Sequence, residues 1–187
     1  MVNERTWKTL GSEEIFQSGF FRLRRDRCEL PDQRVMPAYY VVEFTDWVHV
    51  LPLTKKGEAV MVRQYRYAAG EHFLEVPGGT CDPRAKESHE EAARRELREE
   101  TGYTPGRMVY LGYHYPNPAL QDNRMHSFLA LDCELTHSPE LDPYEDLTVE
   151  LMNVSDLYKM VFAGEIRHSL NLGTLALALP HLKEWVK

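Results

Sequence analysis

The chain has 187 residues, 43% of them hydrophobic and 27% charged, which is the balance of a globular protein of one domain with or without a small appendage. Its net charge of −7 excludes a partner that needs a basic face, nucleic acid above all. A phosphorylated small molecule stays within reach, provided cations or a local arginine cluster meet its charge.

The opening "MVNERTWKTL" is charged and lacks the apolar core of a secretory signal. The first forty-odd residues read as strands: "FFRLRRDRCEL" alternates in part, "PDQR" is a turn, and "AYYVVEF" is rich in β-formers. "WVHVLPL" and "EAVMVRQYR" are two further strands around the turn "TKKGE", and "HFLEVPGG" leads into a glycine loop. A helix follows with both ends marked. Ser88 and Glu91 form a capping box, and Gly102 suits the left-handed position after the last turn.

Beyond it, "RMVYLGYHY" and "MHSFLALDCEL" read as strands around the loop "PNPALQDNR", and "DLTVELMNV" as another. Ser155 is expected to cap a short helix ending at Gly164, and a last helix containing "LGTLALAL" should end near Pro180. That apolar run is far too short to span a bilayer. Strands with two or three helices, not strictly alternating, predict an α/β protein with a mixed sheet between helices. Three widely spaced cysteines read as reduced thiols, and a cytoplasmic protein is expected. The eight histidines have no metal-like spacing and receive no role.

The central helix carries the chemistry. Glu96 and Glu100 lie one turn apart on one face with Glu99 adjacent, while Ala93 and Leu97 form an apolar stripe beside them. Arg95 reaches Glu91 and Glu99 at four-residue spacing, but ion pairing of this kind contributes only about 0.2–0.5 kcal/mol per pair. It also leaves the glutamates short of cations. A hard divalent ion relieves such a cluster. Mg²⁺, or Mn²⁺ in its place, takes oxygen ligands and completes its shell with water and substrate phosphates.

The run from Glu87 through Arg95-Glu96-Leu97 and Glu99-Glu100 to Gly102 resembles the Nudix hydrolase signature. That resemblance implies the Nudix fold, a mixed sheet in an α/β/α sandwich. It further implies that Glu96 and Glu100 are the principal metal ligands, with Glu99 assisting or positioning water. Glu87 would hold the loop against Arg95, and the backbone carbonyl of Gly78 or Gly79 would be a further ligand. Two departures stand out: the loop from Gly79 to Glu87 is two residues longer than the family norm, and Tyr103 occupies an ordinarily aliphatic position. The extra length in "TCDPRAK" is expected to bulge into solvent.

Most of the chain is similar to one Nudix branch, the ADP-ribose and nucleoside-diphosphate-sugar pyrophosphatases. "LPDQRVMPAYYVVE" resembles the N-terminal hairpin of that branch, "VRQYRYA" its arginine-bearing strand, and "FLEVPGG" its strand into the loop. Pro118 falls where the branch has a proline after the box, although Asn-Pro-Ala stands in place of Ser-Pro-Gly. "PYEDLTVELMNVSDLYKMVFAGEI" resembles the segment bearing the general base. The resemblance implies an N-terminal β subdomain over residues 1–45, a catalytic domain over 46–187, and a homodimer in which the N-terminal strands reach the partner's site.

Read from the residues, Arg66 and Arg63 offer planar donors to phosphate, but they have opposite strand parity, and Arg66 is favoured. Glu75 either accepts a ribose or sugar hydroxyl or sits in an ion pair. Trp47, and the pair Tyr39 and Tyr40, either stack on a base or belong to the core. Glu145 is the first choice for the general base, with Asp146 and Glu140 behind it, because a loop readily supplies a group that must reach a water near the metals. The expected reaction is Mg²⁺-dependent hydrolysis of the pyrophosphate link of a nucleoside diphosphate sugar. The alternatives are a Nudix enzyme for another substrate (GDP-mannose, a dinucleoside polyphosphate or coenzyme A) and a non-catalytic nucleotide-sugar-binding regulator.

Overall fold

The computed structural model describes residues 5–82 and 85–186. They fall into two units, one running to Thr45 and taking in Tyr115–Asn123, the other made of Asp46–His114 and the chain from Arg124 onward.

In the first unit β1 (Lys8–Gln17), β2 (Arg22–Glu29) and β3 (Val35–Glu43) form an antiparallel sheet in that order. The sequence pattern leaves β1 unassigned, because "KTLGSEEIFQ" has no alternation and nearly every residue is exposed. Cross-strand polar pairs to β2 supply its register instead: Glu13 with Arg25, and Ser12 donating to Asp26. Tyr115–Asn123 joins this unit through the Val42 amide, which donates to Leu120 O, and the Tyr39 hydroxyl, which donates to Ala119 O, both at 2.8 Å.

The second unit holds eight strands: β4 (Trp47–Thr54), β5 (Glu58–Arg66), β6 (Glu71–Glu75), β7 (Gly78–Thr80), β8 (Tyr103–Thr104), β9 (Arg107–His114), β10 (Met125–Leu135) and β11 (Leu147–Asn153). The main path is β11-β5-β4-β10-β8, with β6 beside β5, β7 beside β4 and β9 beside β10. The sheet is mixed. β4 and β10 run parallel, with Trp47 opposite Met125, and the remaining pairs are antiparallel.

Three helices cover it: α1 (His89–Thr101), α2 (Val154–Phe162) and α3 (Ser169–Ala178). Alternation along the two parallel strands feeds two separate cores. Val48, Val50, Phe128 and Ala130 pack with Ala92, Ala93 and Leu97 of α1. Leu51, Leu53 and Leu129 pack with Leu157 and Tyr158 of α2 and with Leu175 and Ala178 of α3. The result is an α/β/α sandwich, in which each fully buried leucine such as Leu97 contributes about 1.5–3 kcal/mol.

The ends of α1 are those the sequence marks. Ser88 and Glu91 exchange both capping-box bonds, and Gly102 sits at φ +75° with its amide donating to Arg98 O. α2 differs from expectation, since Asn153 and not Ser155 is its cap and accepts the Ser155 amide at 2.9 Å. β11 runs directly into this helix, so the chain turns two residues earlier than the serine suggests. No helix among the described residues is long and apolar enough to cross a membrane.

Candidate active site

The glycine loop is pinned from both faces of the sheet. At the exit of β6 the Val76 amide donates to Asn171 Oδ1 of α3 at 2.6 Å, and Pro77 O accepts the Val50 amide at 2.9 Å. β7 then squeezes between β4 and α1. A Cβ on Gly78 would lie 2.2 Å from Val48 O, and one on Gly79 would lie 2.5 Å from the Glu96 carboxylate. At Gly78, where the neighbour is backbone, only glycine permits that approach. It brings the Gly78 amide to Glu100 Oε2, a bond of 3.0 Å.

Arg95 is the hub of the helix face. It clasps Glu87 through Nε at 3.1 Å and Nη2 at 2.8 Å, and Nη2 also reaches Thr80 O. Its Nη1 bridges Glu96 Oε1 at 2.8 Å and Glu99 Oε2 at 3.0 Å. The expected Arg95–Glu91 pair does not form, because the capping box holds Glu91 on Ser88. Glu87 also accepts the Asp82 amide, so it ties the loop to the helix. The sequence reading left the glutamates short of cations, and in the structure Glu96 and Glu99 share one guanidinium while Glu99 also meets Arg98.

The charge remains unbalanced. Glu96 and Glu100 are 9% and 6% exposed. Burial pushes Glu96 up to about 7, against the pull of Arg95. Burial likewise pushes Glu100 up to about 8, against the bond from Gly78, and Glu96 and Glu145 add repulsion. Buried carboxylates that keep their protons near neutrality are a donor set that a hard divalent cation fits.

The structure brings some of the remaining predicted residues to this cluster. Glu145, half-buried before β11, is among the negative charges acting on both Glu96 and Glu100. Its Oε2 accepts the Asp142 amide at 3.0 Å, whereas Asp146 and Glu140 are exposed. Arg66 gives a two-pronged bond to Glu75 at 2.9 and 2.6 Å, and it feels Glu100 and Glu145 in turn. Glu75 is only 1% exposed and sits in this ion pair. Three N–H groups of the half-exposed Arg66 guanidinium lie outside that pair.

Other predicted residues lie elsewhere. Arg63 faces the opposite side of β5 and pairs with Glu150 of β11. Alternation along β4 puts Trp47 with Leu51 and Leu53, on the face away from α1. Pro118 belongs to the first unit, where it lines a cleft of about 420 Å³ with Arg24, Tyr39, Tyr115 and Leu120. The expected solvent bulge of the long loop turns on Pro83 and Arg84, which lie outside the described residues. The sequence reading missed Asn171, whose only signal is a polar residue within an apolar helix. It also missed Asp46, His89 and His126, which meet only through the fold.

Comparison with known proteins agrees with this geometry. The NUDIX domain model matches residues 44–170, more than half of the chain. The chain belongs to the Nudix family. A second model, the nucleoside diphosphate sugar hydrolase N-terminal domain, matches residues 7–42 of this Nudix protein. An ADP-ribose pyrophosphatase of Bacillus subtilis (strain 168) is 34% identical, covering 85% of this chain and 85% of the relative. One from Mycobacterium tuberculosis is 30% identical, covering 92% of this chain and 84% of the relative. The fold is that of a crystal structure described as an ADP compounds hydrolase, with a TM-score of 0.82, 22% identity and 96% of each chain covered.

Proposed function

We propose that this Nudix protein hydrolyses the pyrophosphate bond of nucleoside diphosphate sugars of the ADP-ribose type, giving a nucleoside monophosphate and a sugar phosphate. The observation that carries the reading is the pair of buried, under-neutralised glutamates, Glu96 and Glu100, set against a glycine loop on a Nudix helix. The match of residues 7–42 to a nucleoside diphosphate sugar hydrolase module, and the names of the two relatives, support the substrate class.

Glu96, Glu99 and Glu100 would hold Mg²⁺, or Mn²⁺, with a carbonyl from Gly78 or Gly79. When bound, the ion would supply positive charge to the pyrophosphate oxygens as water attacks phosphorus. Arg95 and Glu87 position the face by locking the loop to α1. Arg66, oriented by Glu75, offers its remaining N–H groups to phosphate oxygens. Glu145 takes the proton of the attacking water, from a loop position whose charge reaches both Glu96 and Glu100.

Residues 1–45 serve as the dimerisation subdomain and 46–187 as the catalytic domain, with Pro118 and an aromatic such as Trp47 as further substrate contacts. Exposed Trp7, Phe16, Phe20 and Val35 in the N-terminal segment support a homodimer. Three free thiols fit a reducing cytoplasm.

The test is hydrolysis of a nucleotide-sugar panel with Mg²⁺ in ¹⁸O-labelled water, with products read by mass spectrometry. ADP-ribose should yield AMP and ribose 5-phosphate, with label in one of the two phosphates. Turnover confined to dinucleoside polyphosphates or coenzyme A would overturn the substrate assignment, and binding of ADP-ribose without turnover would indicate a regulator.

A further inference from the structure

A second group of ligating side chains lies in the catalytic unit, and none of the helix glutamates belongs to it. Asp46 precedes β4, His89 is the first residue of α1, and His126 is the second residue of β10. Their ligating atoms all lie within 4.8 Å of one another. We propose that Asp46, His89 and His126 form a site for a borderline transition-metal ion such as Zn²⁺, Co²⁺ or Ni²⁺, separate from the magnesium face of α1.

The donor chemistry selects the ion. Two imidazoles and one carboxylate suit zinc and its first-row neighbours, whereas Mg²⁺ prefers an all-oxygen shell with several waters. The spacing fits as well. A tetrahedral ion with bonds of 2.0–2.1 Å sets its ligand atoms about 3.3 Å apart. Asp46 Oδ2 lies 3.2 Å from His126 Nε2 and 3.6 Å from His89 Nε2.

Two of the ligands are also anchored from behind, as metal ligands characteristically are. The Tyr110 hydroxyl lies 3.0 Å from His126 Nδ1, and the Arg124 amide donates to Asp46 Oδ1 at 2.8 Å. Each far atom is therefore held while its near atom points to the common centre. An ionised Asp46 carboxylate can only accept, which assigns the proton of the metal-free His126 ring to Nε2. On metal binding that proton passes to Nδ1, whose N–H donates to the Tyr110 oxygen, a hydroxyl that can serve as donor or acceptor. Burial, with His89 nearby, holds His126 below the ordinary histidine range and so favours the neutral ring that a metal takes.

One adjustment is required. The rings of His89 and His126 stack with centroids 3.6 Å apart and planes 14° from parallel, so their lone pairs run side by side. Coordination tilts His89 out of the stack. It is the half-exposed member at a helix start, whereas His126 is fixed in the sheet. A metal here ties the first turn of α1 to β4 and β10, and with it the turns that carry Glu96 and Glu100.

The experiment is a Co²⁺ titration of the full-length chain in saturating Mg²⁺, followed by ligand-field absorption. One equivalent should produce the intense bands of a four- or five-coordinate nitrogen–oxygen site. His89→Ala should remove them with circular dichroism unchanged, and Asp46→Asn, nearly isosteric, should weaken Co²⁺ binding by about 10-fold or more. Glu100→Gln should retain them, which keeps this result distinct from failure of the magnesium reading. Weak octahedral absorption alone, bands that persist in His89→Ala, or bands lost in Glu100→Gln but kept in His89→Ala would overturn the proposal.

Discussion

A carboxylate shut away from water beside two others keeps its proton until something positive replaces it. Glu96 and Glu100 do so up to about 7 and about 8, while the same groups in the unfolded chain ionise around 4.5. Between those values the folded state binds more protons than the unfolded one, so these residues make the metal-free protein less stable as pH rises through the window. Magnesium bound at the proposed site would displace those protons. Its addition should therefore raise the melting temperature more at about pH 8.5 than at about pH 5.5, and thermal scans with and without Mg²⁺ at each pH check this. Glu100→Gln keeps the shape of the side chain and removes the charge, so turnover should fall by at least about 10²-fold with the circular dichroism of the folded protein retained. Unchanged activity would remove Glu100 from the metal set. At this scale the sequence displays the glutamate spacing, because helical periodicity fixes it. It does not display the partners of Arg95, which depend on a loop folding back to present Glu87 and on Ser88 claiming Glu91.

α1 is the element whose limits and faces the sequence defines best. Its capping box, its terminal glycine and its Ala93–Leu97 stripe are local signals, and all three appear in the structure. The glycine loop works differently, since the need for Gly79 arises from an element seventeen residues away in the chain. A methyl group at Gly79 meets the flexible end of Glu96 and not backbone, so the fold can absorb it by swinging that carboxylate aside. Gly79→Ala should consequently cost little stability, yet raise the Mg²⁺ concentration needed for half-maximal activity by about 10-fold or more, as a Mg²⁺ titration would show. An unchanged Mg²⁺ requirement would mean that Glu96 tolerates displacement or holds no metal. β1 marks the limit of pattern reading, because an exposed strand paired through charges carries no hydrophobic alternation to detect.

Across the whole molecule, two hydrophobic cores on opposite faces of one sheet hold the catalytic unit. The three-stranded N-terminal unit leaves large apolar side chains exposed, Phe20 at 88% among them. Light scattering should return twice the mass of the chain at working concentration, and a monomer would count against the dimer. The family, the helix and its glutamates are determined by the sequence alone, since each rests on residues within one or two helical turns, where backbone geometry fixes what neighbours what. Tertiary structure decides which distant residues join them. The parity of β5 separates Arg63 from Arg66, and the pairing with β6 commits Arg66 to Glu75. The parallel pairing of β4 with β10 brings His126 to Asp46, eighty positions apart, where the start of α1 delivers His89. Contacts of that kind are set by sheet register and by packing across the sandwich, and no local spacing in the chain records them.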